Sequence, residues 1–326
     1  MAKYILKRCL WLIPITLLVI IFVFTILYFI PGDTARAVKG QHASEEIIAK
    51  FNAEHGLDQG YFGRLFKYII GLFKGDMGRS YYSNVAVLPQ ILARLPYTML
   101  VATLATMFGV IVGLPIGILA ATHQNTWLDS VTMAVTMFFT SMPSFWFAMI
   151  LISIFSLSLH WLPSVGYQSW KNYIMPVITI GLHISAVMAR QSRSSMLEVI
   201  RSDYITTARA KGQKEKKVIF SHVLRNGSIP VVTVAGGTFA AMMGGALIVE
   251  TLFSIPGIGT YLFGGIATAD VPIVLGCVTV IALFHGVIMI IVDILYTVVD
   301  PRLKARFVQA RRKKQLKAGR KAGTQA

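Results

Sequence analysis

The sequence contains no Gly-Lys dipeptide, so it has no phosphate-cradling loop of the G-x-x-x-x-G-K-[ST] type and cannot itself be the usual nucleotide-hydrolysing motor. H-E-x-x-H is missing, the cysteines are not paired, and no group of His with Asp or Glu has metal-ligand spacing. G-x-S-x-G, the commonest serine-hydrolase signature, is absent as well. The two cysteines, Cys9 and Cys277, lie in apolar stretches; they argue against a disulfide framework and read as small hydrophobes. Charge is scarce: 14% of residues, against about 25% in a soluble domain. A catalytic reading of this chain has nothing to stand on.

What is abundant is apolar sequence. Of 326 residues 55% are hydrophobic, and the mean hydropathy is +0.64. Both values describe an all-α integral membrane protein. Six apolar runs are expected to span: Cys9 to Ile30, Tyr97 to Ala121, Ser130 to about Leu159, Ile174 to about Ala189, Ser228 to Phe253 and Ile273 to Val299. The first, at ~1.5 Å per residue, reaches about 33 Å, enough for a ~30 Å hydrocarbon core and too long for a signal peptide.

The formal charge of +17 is explained by orientation. On this span count, 22 of the 31 Lys and Arg fall on one side: Lys3, Lys7 and Arg8, nine from Arg190 to Arg225, and ten from Arg302 to Lys321. Eight of the other nine lie in one long loop that weighs little in topology. By the positive-inside rule both termini are cytoplasmic, and the basic residues meet anionic membrane lipid, not nucleic acid. The chain divides into 1–30 (start and first span), 31–95 (an extracytoplasmic region), 96–300 (a core of five spans) and 301–326 (a basic tail). In 31–95 the pattern predicts a helix over Ser44 to His55, an amphipathic stretch from Tyr61 to Phe73 and a further helix over Val85 to Arg94.

Several span residues stand out. Gly109, Gly113 and Gly117 recur every fourth residue, the spacing that lets membrane helices pack closely. Pro143, in SMPSFW, predicts a kink in the third span; it either shapes the helix alone or lines a passage. Gly236 and Gly237, in a Gly- and Ala-rich fifth span, serve close packing or a pore wall. Ionisable residues inside a membrane are costly and therefore candidates for function. Glu250 near the outer end of the fifth span is either a capped carboxylate or part of a pathway. Asp293 is expected to pair with a basic group near the cytoplasmic face. His183, mid-way along the fourth span, reads as a packing histidine ahead of a ligand or relay, and His285 likewise.

The most unusual stretch is SDYITTARAKGQKEKKVIFSHVLRNGSIP, Ser202 to Pro230, a polar, basic island between two apolar runs. Asp203 is a plausible N-cap for a short helix over Tyr204 to Lys211, and Gly212 supplies its left-handed stop. A second helix follows, apolar along Val218, Ile219, Val223 and Leu224. Thr206, Thr207, Ala208 and Ala210 keep one side of this knob thin, so another protein's backbone can approach. The knob reads as a docking device.

These residues resemble a known family. TTARAKG followed by HVLRNGSIP is similar to the EAA loop of ABC importer permeases, in the form found in the dipeptide/oligopeptide/nickel branch. The EAA positions fall on Thr206, Thr207 and Ala208, and the glycine on Gly212; His222, Leu224 and Arg225 take the later positions, with Pro230 as the proline. The sequence departs from the general pattern at the Glu, the Ile and the Pro. KYILKR with IPGD, then GLDQ, GDMGRS, ILARLPYT, VETLFSIPGIG and DILYTVVDPRLK extend the resemblance over nearly the whole chain, and suit the first subunit of the permease pair. It implies a type I fold with six transmembrane helices and a cytoplasmic coupling helix in a prokaryotic cell (inner) membrane. It further implies a homologous second permease, two cytoplasmic ATPases and an extracytoplasmic substrate-binding protein. The coupling residues would be Asp203, Thr206, Thr207, Ala208, Ala210, Gly212, Leu224 and Pro230. No cofactor would bind this chain; ATP and Mg would belong to the ATPases.

The cargo implied is di- or oligopeptide, with nickel or another metal chelate as the alternative. An ion-coupled secondary transporter would instead show inverted repeats and a midplane carboxylate cluster. A third reading is a membrane scaffold whose knob recruits a cytosolic partner.

Overall fold

A computed structural model describes residues 2–30 and 34–299. The expected basic tail and the PGD and DPRLK segments lie outside the described residues. All elements described are helical. In order they are α1 (Ala2–Phe29), α2 (Thr34–Lys39), α3 (Glu45–His55), α4 (Tyr61–Phe73), α5 (Val87–Thr122), α6 (Trp127–Ser141) and α7 (Ser144–Leu151). Then follow α8 (Lys171–Ile200), α9 (Asp203–Ala210), α10 (Glu215–Lys217), α11 (Leu224–Gly245), α12 (Leu247–Leu252), α13 (Ile258–Ala267) and α14 (Val271–Val299). A π-helical stretch, Ile152–Ser158, extends α7, and another, Val218–Val223, joins α10 to α11.

Among the described residues five helices are long and apolar enough to cross a membrane, and six if the broken pair α6–α7 is one span. That break differs from the expected kink: the two pieces meet at 96°. A residue before proline is driven out of the helical region. Met142 (ψ 126°) and Pro143 (ψ 129°) are accordingly both extended, and two successive extended residues turn the chain a full corner.

Three spans also run further than their apolar runs. α5 absorbs the separate helix expected over Val85 to Arg94, carrying Pro96 and Pro115 inside it. α8 continues from Ala189 to Ile200, since the Arg, Gln, Met, Leu and Glu of the polar run that follows are ordinary helix formers. Glu215 to Gly244 reads as one helical rod, so the second half of the knob flows into the fifth span without a break.

The core is built on α8, which packs against α5, α6, α7 and α11. The glycines of α5 make the closest of these contacts. A Cβ on Gly113 would lie 2.3 Å from the Ser185 carbonyl oxygen, one on Gly117 2.4 Å from that of Ala189, and one on Gly109 2.3 Å from Ile184 Cγ2. The two helices therefore touch backbone to backbone, as small residues at four-residue spacing allow. On the other side α14 packs on α1, α11 and α13. The expected ion pair of Asp293 forms with Arg8 of α1, at 3.1 Å.

Candidate functional site

The 202–230 corner is assembled around one side chain. Ile205, on α9, is fully buried with Ala121, Met196, Leu197, Val218 and Val223, so α5, α8 and the π-helical stretch all grip it. At a helical period, Asp203, Thr206, Thr207 and Ala210 then fall together on the opposite side, and all four are exposed. No side chain on that stripe is longer than Asp. Ala208 departs from the expectation: it is half-buried and packs inward with the Ile205 cluster, a direction set by its three-residue offset from Ile205. Asp203 departs as well. Ser202 is the extended N-cap residue (φ −78°, ψ 148°), and Asp203 occupies the first helical turn, where the helix dipole favours its charge. The Ser202 hydroxyl donates back to the Val199 carbonyl (2.5 Å).

The turn beyond α9 is closed by Gly212 at φ +74°, whose N–H donates to the Arg209 carbonyl at 2.9 Å. L residues rarely adopt that conformation, which explains the glycine. Arg209 forks onto Glu215 across the turn at 2.6 and 3.1 Å. His222 meets Gln213 at 2.9 Å, and Asn226 donates to the Tyr204 hydroxyl at 3.2 Å. The corner is thus one body carrying a thin, exposed stripe. Leu224 and Pro230 lie away from that stripe: both are half-buried on α11.

The remaining candidates separate. Gly236 faces α14, since a Cβ there would lie 2.2 Å from Val292 Cγ2; its role is packing. Gly237 has open space where its Cβ would be. Pro143 is exposed at the α6–α7 corner. Glu250, fully buried on α12, faces no opening in this chain. Its carboxylate accepts from the Thr260 N–H at 3.2 Å, in the first turn of α13. A Cβ on Gly257 would lie 2.3 Å from Glu250 Cδ, so the glycines of the IPGIG segment make room for the carboxylate. His183 is exposed, not packed. His285 is exposed too.

Sequence reasoning missed a larger pattern around His183. α8 is mostly buried, yet His183, Val187, Arg190, Ser194 and Glu198 leave one continuous stripe at least partly open. Arg190 on this stripe donates to the Thr140 hydroxyl at 2.5 Å. The signal was the spacing of polar residues, hidden because the span was ended at Ala189. Arg193, one step aside, makes a paired bond to the buried Asp129 of α6 at 2.6 and 2.7 Å. It is a structural tie.

Residues 113–305 match the family model of the binding-protein-dependent transport system inner membrane component, and residues 1–102 match that family's N-terminal model. The chain belongs to this family. As a permease of the ABC importer type it is similar to the glutathione transport system permease protein GsiC of Salmonella choleraesuis, 39% identical over 93% of this chain and 99% of that one. GsiC of Escherichia coli K12 is 37% identical over the same shares. Among solved structures, the inward-facing MetNI methionine ABC transporter matches with a TM-score of 0.54 at 19% identity, over 66% of this permease and 98% of that chain. That likeness speaks for the fold alone. The permease is thus an all-α, multi-pass inner-membrane subunit of the peptide-type importer family.

Proposed function

We propose that this permease carries di- or oligopeptides inward and is driven by ATPases that seat on α9. The observation that carries the reading is the stripe of Asp203, Thr206, Thr207 and Ala210. Small side chains displayed on a helix whose other face is locked by Ile205 let a partner groove close on the backbone and drag the spans with it. A rigid corner transmits such motion, and alternating access then needs no chemistry in the membrane. The long relatives named for glutathione, itself a peptide, favour the peptide cargo.

In this reading the chain binds no cofactor, and ATP with Mg acts in two partner ATPases. A homologous second permease completes the pathway, and an extracytoplasmic binding protein delivers the cargo. The α9 corner and both termini are cytoplasmic, in keeping with the basic residues counted above. The α8 stripe of His183, Arg190 and Ser194 is the surface this chain contributes to the passage, since polar groups left open on the most enclosed helix need water or a polar cargo beside them. The test is Thr207→Trp in the importer reconstituted in proteoliposomes. Peptide uptake should be lost while insertion of the chain is unchanged. Undiminished ATP-dependent uptake would overturn the seat on α9, and uptake driven by a proton or sodium gradient would overturn the importer reading.

A further inference from the structure

The amphipathic helix α4 has three distinct sides, and their neighbours fix its height relative to the membrane. One side is wedged between two spans. Tyr61 hydrogen-bonds Thr25 of α1 at 2.7 Å. The Thr25 hydroxyl already donates to the Ile21 carbonyl, so the phenol is the donor. Tyr68 likewise meets Thr279 of α14 at 3.2 Å, and the Thr279 hydroxyl is spent on the Leu275 carbonyl. Between these ties Leu65 is buried with Phe24 and Leu275. At ~1.5 Å per residue, Thr25 lies about 6 Å inside the end of α1 at Phe29, and Thr279 about 12 Å inside the start of α14. α4 is therefore held level with the spans, not above them.

A second side carries Phe62, Phe66, Ile70 and Phe73, at intervals of four, four and three, and they are 70, 61, 53 and 74% exposed. This stripe continues onto the open flank of α1. Tyr61 stacks on Phe29 with ring centroids 6.4 Å apart, and Phe22, Ile26 and Phe29 are themselves exposed on that span. The third side is polar: Arg64, Lys67 and Gly71 line a cleft of about 650 Å³ shared with Lys39, Arg79 and Tyr82. A helix with one apolar side open, one charged side in water and its core side fixed at bilayer depth has the form of an interfacial membrane helix.

We propose that α4 lies in the bilayer interface at the Phe29 end of α1, the outer leaflet under the orientation above. Its Phe62–Phe66–Ile70–Phe73 stripe is embedded at the headgroup–acyl boundary, anchoring the extracytoplasmic region. The occupant of the stripe is phospholipid, because the flank it continues is the lipid-facing side of a span. α1 touches the rest of the chain mainly through α14. The reading concerns only this chain and its bilayer, and it survives or falls independently of the cargo.

The experiment uses the assembled importer in vesicles of phosphatidylethanolamine and phosphatidylglycerol, with Cys9 and Cys277 replaced by Ala. A nitroxide is attached at one cysteine in each of Phe62→Cys, Phe66→Cys, Ile70→Cys, Phe73→Cys and Lys67→Cys. The four stripe positions should collide more with oxygen, which concentrates in lipid, than with a water-soluble nickel chelate, and Lys67 should show the reverse. Nickel access along the stripe would overturn the proposal, as would exclusion of both reagents, which would mean cover by a second protein chain. The unmodified chain supplies a second readout that no folding defect can confound. A phospholipid with a photoreactive acyl chain should label residues 61–73, and a stripe left unlabelled beside a labelled α1 would equally overturn it.

Discussion

Two corners of this permease are built alike and locked differently. At each, a helix ends, the chain turns, and a short helix follows: α9 beyond α8, and α13 beyond the 6-residue α12. The α9 corner is held by an apolar anchor, Ile205, and its polar groups stay at the surface. The α13 corner, whose Phe253, Ile255 and Ile258 are buried too, adds a buried carboxylate, Glu250, set against a backbone N–H and two glycines. Apolar anchoring is non-directional, so a body held that way can tilt while keeping most of its contacts. A buried carboxylate is satisfied in one geometry and is costly in others. The lesson is that the first corner can tilt as a unit, as the proposed coupling requires, while the second has an added polar lock that favours one geometry.

The largest effect should come from removing the apolar anchor. Ile205→Ala leaves a cavity where three helices meet and should weaken the docking of α9 by about 2–5 kcal/mol. Ile205→Val should cost only about 0.5–1.5 kcal/mol. Limited proteolysis at Lys211 to Lys217 in detergent reads the difference, since release of α9 exposes that turn. Equal cleavage of Ala variant and parent would show that the turn contacts, not Ile205, hold the corner.

The carboxylate lock should give the next effect, with a different signature. Glu250→Ala removes the acceptor for the Thr260 N–H inside the fold and should cost about 1–3 kcal/mol. Gly257→Ala should also be destabilising. Its backbone (φ −88°, ψ −179°) suits any residue, so the harm comes from the approach to the Glu250 carboxyl, 2.3 Å from Cδ and from Oε2. The double variant should therefore be less unstable than the sum of the two singles, a coupling that thermal denaturation in detergent can measure. Strict additivity would mean that Glu250 and Gly257 do not share one space.

The same contrast explains what could be read from the sequence. Local chemistry was legible. The helix after Ser44 starts on that residue's side chain, which accepts from the Ile47 N–H; Gly212 stops α9; the α5 glycines meet α8; and Tyr61 to Phe73 is a helix end to end. The inward turn of Ala208 follows from Ile205, and it was obscured because Ala208 was weighed for its size without its angle about the helix. What depended on distant partners was not legible. The carboxylate of Glu250 is explained by Thr260 and Gly257, and Asp129 by Arg193, 64 positions away. The α8 stripe extends beyond the apolar run because polar side chains do not end a helix: α8 runs on through Arg190 to Ile200 without a break.

The smallest effect should come from the surface ion pair of the α9 corner. Arg209 and Glu215 bond in a fork, yet their side chains are 41 and 55% exposed, so water and salt screen the attraction to about 0.2–1 kcal/mol. Arg209→Ala should accordingly leave the proteolytic pattern of the α9 turn nearly unchanged, far less altered than Ile205→Ala. What it should change is the angle of the turn, because the fork spans Gly212 and links α9 to the rod that begins at Glu215. If the corner moves as one body, Arg209→Ala lowers transport more than it lowers stability, and the swapped pair Arg209→Glu with Glu215→Arg restores it. A swap that fails while the corner stays folded would mean that Arg209 acts on the partner's surface instead, and that the rigidity of this corner comes from Ile205 alone.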